Sequence, residues 1–259
     1  MSYYDLKLAQ FAAPSLALEI ASDLGKQIVA HHYKPGDLVE DEGSLAGKYQ
    51  VSRSVIRDAV KILVGKGLLE VRRGIGTRVR PTSQWGLLDH DVMAWSQTAA
   101  DTDKRLFKLL ELRQAIEPKA AALAARHANE ESVSEIRHWL EEMEANAGSG
   151  EGFVKADAQF HRSILRATEN EFFVALEGII LSTLISSMRL TNYPPGHRFK
   201  DVPTHRAIYE HIKQGDAEAA EKAMIASLED AEANLMRCLA ERSCDTPSTG
   251  QEGKSTLAR

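Results

Sequence analysis

Residues 51–81 read VSRSVIRDAVKILVGKGLLEVRRGIGTRVRP, and this stretch decides the fold of the first third of the chain. After Ser52, the apolar positions Val55, Ile56, Ala59, Val60 and Leu63 keep the spacing of one helix face, and Gly65-Lys66-Gly67 supplies a stop. LLEVRR and TRVR then form two β-compatible runs around Gly74-Ile75-Gly76, the pattern of a hairpin. Upstream, Leu16, Ile20, Leu24 and Ile28 mark a first helix, HHYKPGD breaks it at Pro35-Gly36, and Glu42 to Tyr49 fits a second. Three helices followed by a two-stranded hairpin describe a winged helix-turn-helix over residues 16–81.

The charge distribution points the same way. The 259 residues carry 32 basic and 37 acidic side chains, a net −5, which argues against a uniformly basic coat. Between Gly43 and Arg80, however, nine Lys/Arg stand against only Asp58 and Glu70, so this short stretch is +7 and the remainder is −12. Arg53 and Arg57 lie one turn apart at the start of the third helix, where an arginine can make a bidentate contact with guanine in the major groove. Ser52 can cap that helix or hold a phosphate, and Ser54 is a further short donor. Arg73 and Gly74 at the hairpin tip can bring a guanidinium and bare backbone to a minor groove or a phosphate. A solvated basic helix, with Arg57 paired to neighbouring acids, is the competing reading.

Beyond Pro81 the pattern is helical almost to the end, with expected helices at 85–98, 103–127, 131–145, 152–167, 171–190, 200–214 and 216–240. The fold class is therefore mainly α, a winged helix-turn-helix followed by an all-helical antiparallel bundle. Residues 1–15 are expected to be a flexible N-terminus, 82–101 a linker and connecting helix, 102–240 the bundle, and 241–259 a disordered tail. Phe172 to Met188 is apolar nearly all round, which predicts a central helix buried on several sides or one buried partly by a partner subunit. That segment contains Glu177 and several hydroxyls and is too short and polar for a membrane span. Only Cys238 and Cys244 exist, so neither a disulfide framework nor a Cys-rich zinc site is available, and a cytoplasmic setting is expected.

The run from Ile28 to Pro81, with "PGDLVEDEGSLA", "VSRSVIRDA" and "GLLEVRRGIGTRV", resembles the DNA-binding domain of the GntR family of bacterial transcription regulators. The resemblance implies that Ser52, Arg53, Ser54, Arg57 and Gly74 contact operator DNA. Gly43 departs from it, because the family often has a basic or longer polar residue there. "LDHDVMAW", "ELRQAIEPKAAALAA", "DAQFHRSILRATEN" and "THRAIYEHIKQGDAEAA" resemble the FadR-type branch with the all-helical FCD ligand domain.

Asp157 and His161 are four residues apart and share a helix face; such a pair serves either as a helix-surface ion pair or as two metal ligands. His205 lies on a later helix and could approach across a bundle. The resemblance implies the second reading, since Asp157, His161 and His205 match the metal-binding Asp and two His of the FCD pattern, with zinc or nickel as the divalent metal. Ser227 stands where the pattern has its third His, and serine is a poor ligand for either ion. Arg113 matches the arginine that points into the FCD cavity, where a guanidinium recognises a carboxylate. From residue types alone, an internal pair with Glu111 or Glu117 is equally open.

"SQWGLLDHDVMAW" together with Ser227 looks most like regulators that respond to galactonate-like sugar acids. The expectation is a repressor, acting as a homodimer on operator DNA, whose small carboxylate effector meets Arg113, Asp157, His161 and His205. Two alternatives stand beside it: a regulator for which the metal is the signal, and a helical metalloenzyme using Asp157, His161 and His205. The sequence contains no Walker A motif, no strand-linked G-x-G-x-x-G and no H-E-x-x-H.

Overall fold

A computed structural model of the chain describes residues 15–96, 102–190 and 202–244. The expected flexible N-terminus up to residue 14, residues 97–101, residues 191–201 and the expected tail beyond Cys244 lie outside the described residues. Two compact units are present and are taken in turn.

In the N-terminal unit, α1 (Leu16–Val29) starts at Ser15, whose side chain accepts from the Leu18 N–H, and buries Ile20, Leu24, Ile28 and Val29. Helix α2 (Glu42–Tyr49) is capped by Asp41, whose Oδ1 accepts from the Gly43 and Ser44 N–H groups, and stops at Gln50 in the left-handed region. Helix α3 (Arg53–Gly65) turns Ile56, Ala59, Val60 and Leu63 into the core, as their spacing predicts. Strands β1 (Leu69–Arg72) and β2 (Gly76–Val79) pair antiparallel from Leu69↔Val79 to Arg72↔Gly76. Gly74 takes φ +78° at the tip, a conformation that favours glycine.

Two features of this unit differ from the expectation. The segment after Pro35-Gly36 is not only a turn. The Val39 N–H donates to the Thr77 carbonyl and the Val79 N–H to the Asp37 carbonyl, and a bridge at Leu38↔Arg78 lays this segment along β2. The single helix predicted over 85–98 is replaced, within the described residues, by a short 3-10 turn at Thr82–Gln84 and helix α4 (His90–Ser96). The reason is Asp89, whose Oδ1 accepts from the Asp91 and Val92 N–H groups and so fixes a helix start there. Trp85, Val92 and Trp95 belong to the same apolar core as α1 and α3. Helix α4 lies so close to α1 that a Cβ on Gly25 would meet the Trp95 ring at 2.3 Å. Lys66, just after α3, also ties down the start of α4, with Nζ 2.8 Å from Asp89 Oδ1 and 2.7 Å from Asp91 Oδ2.

From Thr102 onward the described residues are almost entirely helical; 107–174 and 183–244 make up the second unit, while 175–182 group with the first. Helix α5 (Thr102–His127) contains Pro118 and then the buried small residues Ala120, Ala121, Ala122 and Ala124, which allow close packing. Helix α6 (Glu130–Ala145) is capped by Asn129 and α7 (Gly150–Arg166) by Ser149, and the two pack on each other. Asn170 Oδ1 accepts from the Phe172 N–H, the capping role its position predicts. The one helix expected over 171–190 is two, α8 (Glu171–Ala175) and α9 (Glu177–Leu190). The chain breaks at Leu176, whose carbonyl opens the next helix by accepting from the Ile179 and Ile180 N–H groups. Ile179 to Leu184 are buried on every side, as predicted, but Phe172 is exposed. Helix α10 (Val202–Gln214) packs on α6 and on α11 (Ala217–Cys244). Gly215 at φ +76° ends α10, and Asp216 accepts from the Ala219 N–H to begin α11.

Candidate functional site

The DNA-facing residues predicted from sequence are solvent-exposed: Ser52, Arg53, Ser54 and Arg57 at the start of α3, Arg73 and Gly74 at the wing tip. Arg53 and Arg57 lie one turn apart on α3 and are exposed, while Ile56, Ala59, Val60 and Leu63 of the same helix are buried. Ser52 occupies the N-cap position, but its hydroxyl meets Ser54 Oγ at 2.8 Å instead of capping the helix, so the first α3 amides keep no side-chain cap. Arg57 Nε lies 2.7 Å from Glu42 Oε2 on α2, an exposed ion pair that water or a phosphate can compete away. A Cβ on Gly43 would stand 3.1 Å from Arg53 Nη2, so the small residue at this position leaves room for the Arg53 guanidinium over α2.

The second constellation is inside the C-terminal unit. Arg113 and Glu117 lie one turn apart on α5, Asp157 and His161 one turn apart on α7, and His205 on the first turn of α10. All five side chains are buried. That burial removes the helix-surface reading of the Asp157–His161 pair. Among the described residues, Asp157, His161 and His205 form a group able to hold a metal ion, each offering one ligand atom within 4.8 Å of the others. Asp157 Oδ1 is the meeting point: His205 Nε2 is 2.9 Å from it and His161 Nε2 is 3.5 Å from it.

The fit to a metal can be judged from these atoms. Ligand atoms on a divalent ion with bonds of about 2.1 Å stand about 3.0–3.4 Å apart at tetrahedral or octahedral angles. The two observed separations bracket that range. Asp157 Oδ1 is moreover a buried acceptor that closes no aligned hydrogen bond among the described residues, a position a cation would satisfy. One carboxylate and two imidazoles suit zinc or nickel, and three protein donors leave coordination positions open. Ser227 is buried on α11.

On the other side of His161 the arrangement departs from the simplest reading of Arg113. Its Nε stands 2.5 Å from Glu117 Oε1 and its Nη2 3.3 Å from Glu117 Oε2, so the guanidinium grips an internal carboxylate at two points. Glu117 Oε2 in turn stands 2.5 Å from His161 Nδ1, an ion-pair contact off the line of an aligned hydrogen bond. Arg113 is thus paired with Glu117. The sequence names Glu117 only as one of two internal partners for Arg113; its signal is its place four residues after Arg113 on the same helix.

The charges along this chain are mutually reinforced. Burial alone would raise the Glu117 carboxyl, but the Arg113 and His161 charges outweigh it and hold it at about 2. Burial likewise opposes ionisation of Asp157, yet its contacts with His161 and His205 keep it far below the usual carboxylate range. His161 would be lowered by burial but is pushed up to about 9 by Glu117 and Asp157 together. The rings of His161 and His205 stand perpendicular with centroids 5.4 Å apart, and Phe160 meets both edge-on. The E-x-x-H pair Glu135 and His138 is exposed on α6. No helix among the described residues is long and apolar enough to cross a membrane.

Both constellations fall within stretches of the chain that known families match. Residues 16–79 match the model described as bacterial regulatory proteins, gntR family, and residues 108–230 match the FCD domain. The galactonate operon transcriptional repressor of Escherichia coli is 34% identical over 80% of this chain and 93% of its own length. The transcriptional regulator LutR of Bacillus subtilis is 31% identical over 77% of this chain and 91% of its own. The solved structure of Lar, described as controlling the Listeria monocytogenes agr system, superposes with a TM-score of 0.62 at 19% identity, covering 88% of this chain and 99% of that one, and supports the fold alone. The chain belongs to the gntR family of bacterial regulatory proteins, with an FCD domain behind its winged helix-turn-helix, and is a DNA-binding transcription regulator, not an enzyme.

Proposed function

We propose that the protein is a repressor whose operator affinity is lowered by a small hydroxylated carboxylate, a sugar acid of the aldonate type, held in the C-terminal unit by a divalent metal on Asp157, His161 and His205. The observation that carries this reading is the convergence of three buried donors, Asp157 Oδ1 with Nε2 of His161 and of His205, with Ser227 where a fourth protein ligand is expected. A cation held by three side chains retains open positions, and the carboxylate and hydroxyl oxygens of a sugar acid suit them. The similarity to a repressor named for galactonate supports the same chemical class.

Ser52, Arg53, Ser54, Arg57, Arg73 and Gly74 form the DNA-binding surface in this reading, with phosphate contacts placing the head and the arginines reading base edges. Two copies of the chain in a homodimer match the two halves of a pseudo-palindromic operator. Effector control then requires preferential binding of the sugar acid to a conformation that engages the operator less well. Calorimetry of the zinc- or nickel-loaded protein against aldonates, uronates and short hydroxy acids tests the assignment. Binding of an aldonate supports it; binding of lactate or fatty acyl compounds only overturns it.

The metal-responsive alternative keeps the same ligands but makes the ion the signal. Loss of the expected third His to Ser227 favours the effector reading, because a dedicated sensor gains affinity from a closed ligand set. An operator affinity that follows chelator treatment in the absence of any organic acid would favour the sensor.

A further inference from the structure

We infer that Glu117 is a positioning residue for the metal site: Arg113 holds its carboxylate against Nδ1 of His161, and this contact presents Nε2 of the same ring to the point where Asp157 and His205 meet. The inference rests on the proposed reading in which Asp157, His161 and His205 hold a divalent cation. It changes the role of Arg113 from a receptor for the effector's carboxylate to the clamp on an internal one.

An imidazole can ligate through either nitrogen, so a site must specify which nitrogen faces the ion and how the ring is turned. His161 lies between two carboxylates on opposite sides of its ring. Glu117 Oε2 is 2.5 Å from Nδ1, and Asp157 Oδ1 is 3.5 Å from Nε2. A negative charge beside Nδ1 favours the proton on that nitrogen, which directs the other, Nε2, to a cation. Glu117 stands outside the group of converging donors, so its contribution runs through the ring.

Glu117 is itself fixed. Arg113 engages both of its oxygens, at 2.5 and 3.3 Å, from one turn earlier on the same helix. A planar fork on both oxygens removes rotation of the carboxylate about its last bond. The alanines after Pro118 are buried, so this part of α5 has little space in which to shift. Phe160 and His205 meet the His161 ring edge-on, which limits its tilt. The ring orientation is therefore set by side chains that ligate nothing themselves.

Glu117→Gln keeps the shape of the side chain but removes its charge. The amide can offer either an oxygen or an NH2 group to Nδ1, so the tautomer is no longer specified. The test uses the full chain stripped by chelator and titrated with Zn2+ alone or Ni2+ alone against a chromophoric competitor. Glu117→Gln should weaken affinity for either ion by about 10- to 100-fold. Glu117→Asp, which retains the charge with a shorter reach, should recover part of that loss. Cobalt substitution supplies a second readout: the d–d absorption of Glu117→Gln should shift and broaden, which a change confined to fold stability would not produce. If Glu117→Gln does not fold, the neutral pair Arg113→Met with Glu117→Gln removes both charges together, and the same loss is expected. Equal ion affinity and an unchanged cobalt spectrum in the variant and the wild type overturn the inference. A wild-type protein that takes up neither Zn2+ nor Ni2+ overturns the metal reading, and this inference falls with it.

Discussion

His205 Nε2 stands 2.9 Å from Asp157 Oδ1, although the two residues lie on different helices, α10 and α7. A carboxylate oxygen buried at that distance, with His161 Nε2 at 3.5 Å on its other side, places three ligand-type atoms around one point. Asp157→Asn keeps the volume and removes the anionic donor. It should reduce Zn2+ or Ni2+ uptake by more than about 100-fold, since a lost ligand costs more than a lost supporting contact. Metal content by elemental analysis after dialysis checks this, and stoichiometric metal in the variant would refute the assignment.

Arg57 is paired with Glu42, and in the proposed reading DNA draws it away. Arg57→Ala and Arg53→Ala should each weaken operator binding by about 1–3 kcal/mol, the value of one good arginine–guanine contact. Glu42→Gln should instead tighten binding to random duplex at low salt by a few-fold, because an acid leaves the DNA-facing surface and one guanidinium is released. Fluorescence anisotropy at two salt concentrations separates these outcomes.

The contact between α1 and α4 depends on a missing side chain. A Cβ at Gly25 would lie 2.3 Å from Trp95 Cζ3, too close for any rotamer adjustment to relieve without moving the ring. Gly25→Ala should cost about 1–3 kcal/mol, as overpacking of a filled core does. The thermal midpoint of the N-terminal unit should fall by several degrees, and an unchanged midpoint would show that α4 is not held there.

Lys66 joins the same contact through Asp89, and its pH dependence follows from the direction of each shift. Burial would raise Asp89, but Lys66 and the Val92 and Asp91 N–H groups outweigh it and lower its pKa below 3.8. A carboxylate lowered in this way adds stability above its unfolded value, and the gain is lost as pH falls through the folded value. Burial would lower Lys66, yet Asp89 and Asp91 raise it, so its gain persists at every pH below its ordinary 10.5. Asp89→Asn keeps an N-cap side chain and removes the charge. It should cost about 1 kcal/mol at pH 7. That cost should shrink towards zero as pH falls below 3.8 in parallel melts of variant and wild type.

The head was legible because its signals are local. The apolar spacing of Val55 to Leu63, the stop after Gly65 and the glycines between the two β runs are each decided by nearby residues. The strand-like pairing of Leu38 with Arg78 escaped because it joins residues forty positions apart and leaves no periodic trace. The start of α4 escaped for a related reason, since Trp85 and Leu87-Leu88 continue an apolar pattern that Asp89 interrupts by a side-chain cap. At the second site, Asp157 and His161 could be placed on one face by their spacing, but their burial could not be read from it. The partnership of Arg113 with Glu117 was one of two open pairings. Its extension to His161 depends on how α5 and α7 pack, which is a tertiary fact.

The central claim is that a sugar acid, acting through the Asp157–His161–His205 site, controls the hold of the winged heads on DNA. The most direct measurement is anisotropy of the full protein on a DNA fragment that it selects from random duplex, with zinc or nickel bound and galactonate or a related aldonate titrated in. The account predicts release of the wild-type protein, with at least a five-fold loss of affinity (about 1 kcal/mol of coupling), and no release of Asp157→Asn. Wild-type protein that stays bound at saturating aldonate, or an Asp157→Asn variant released as readily as the wild type, would contradict it.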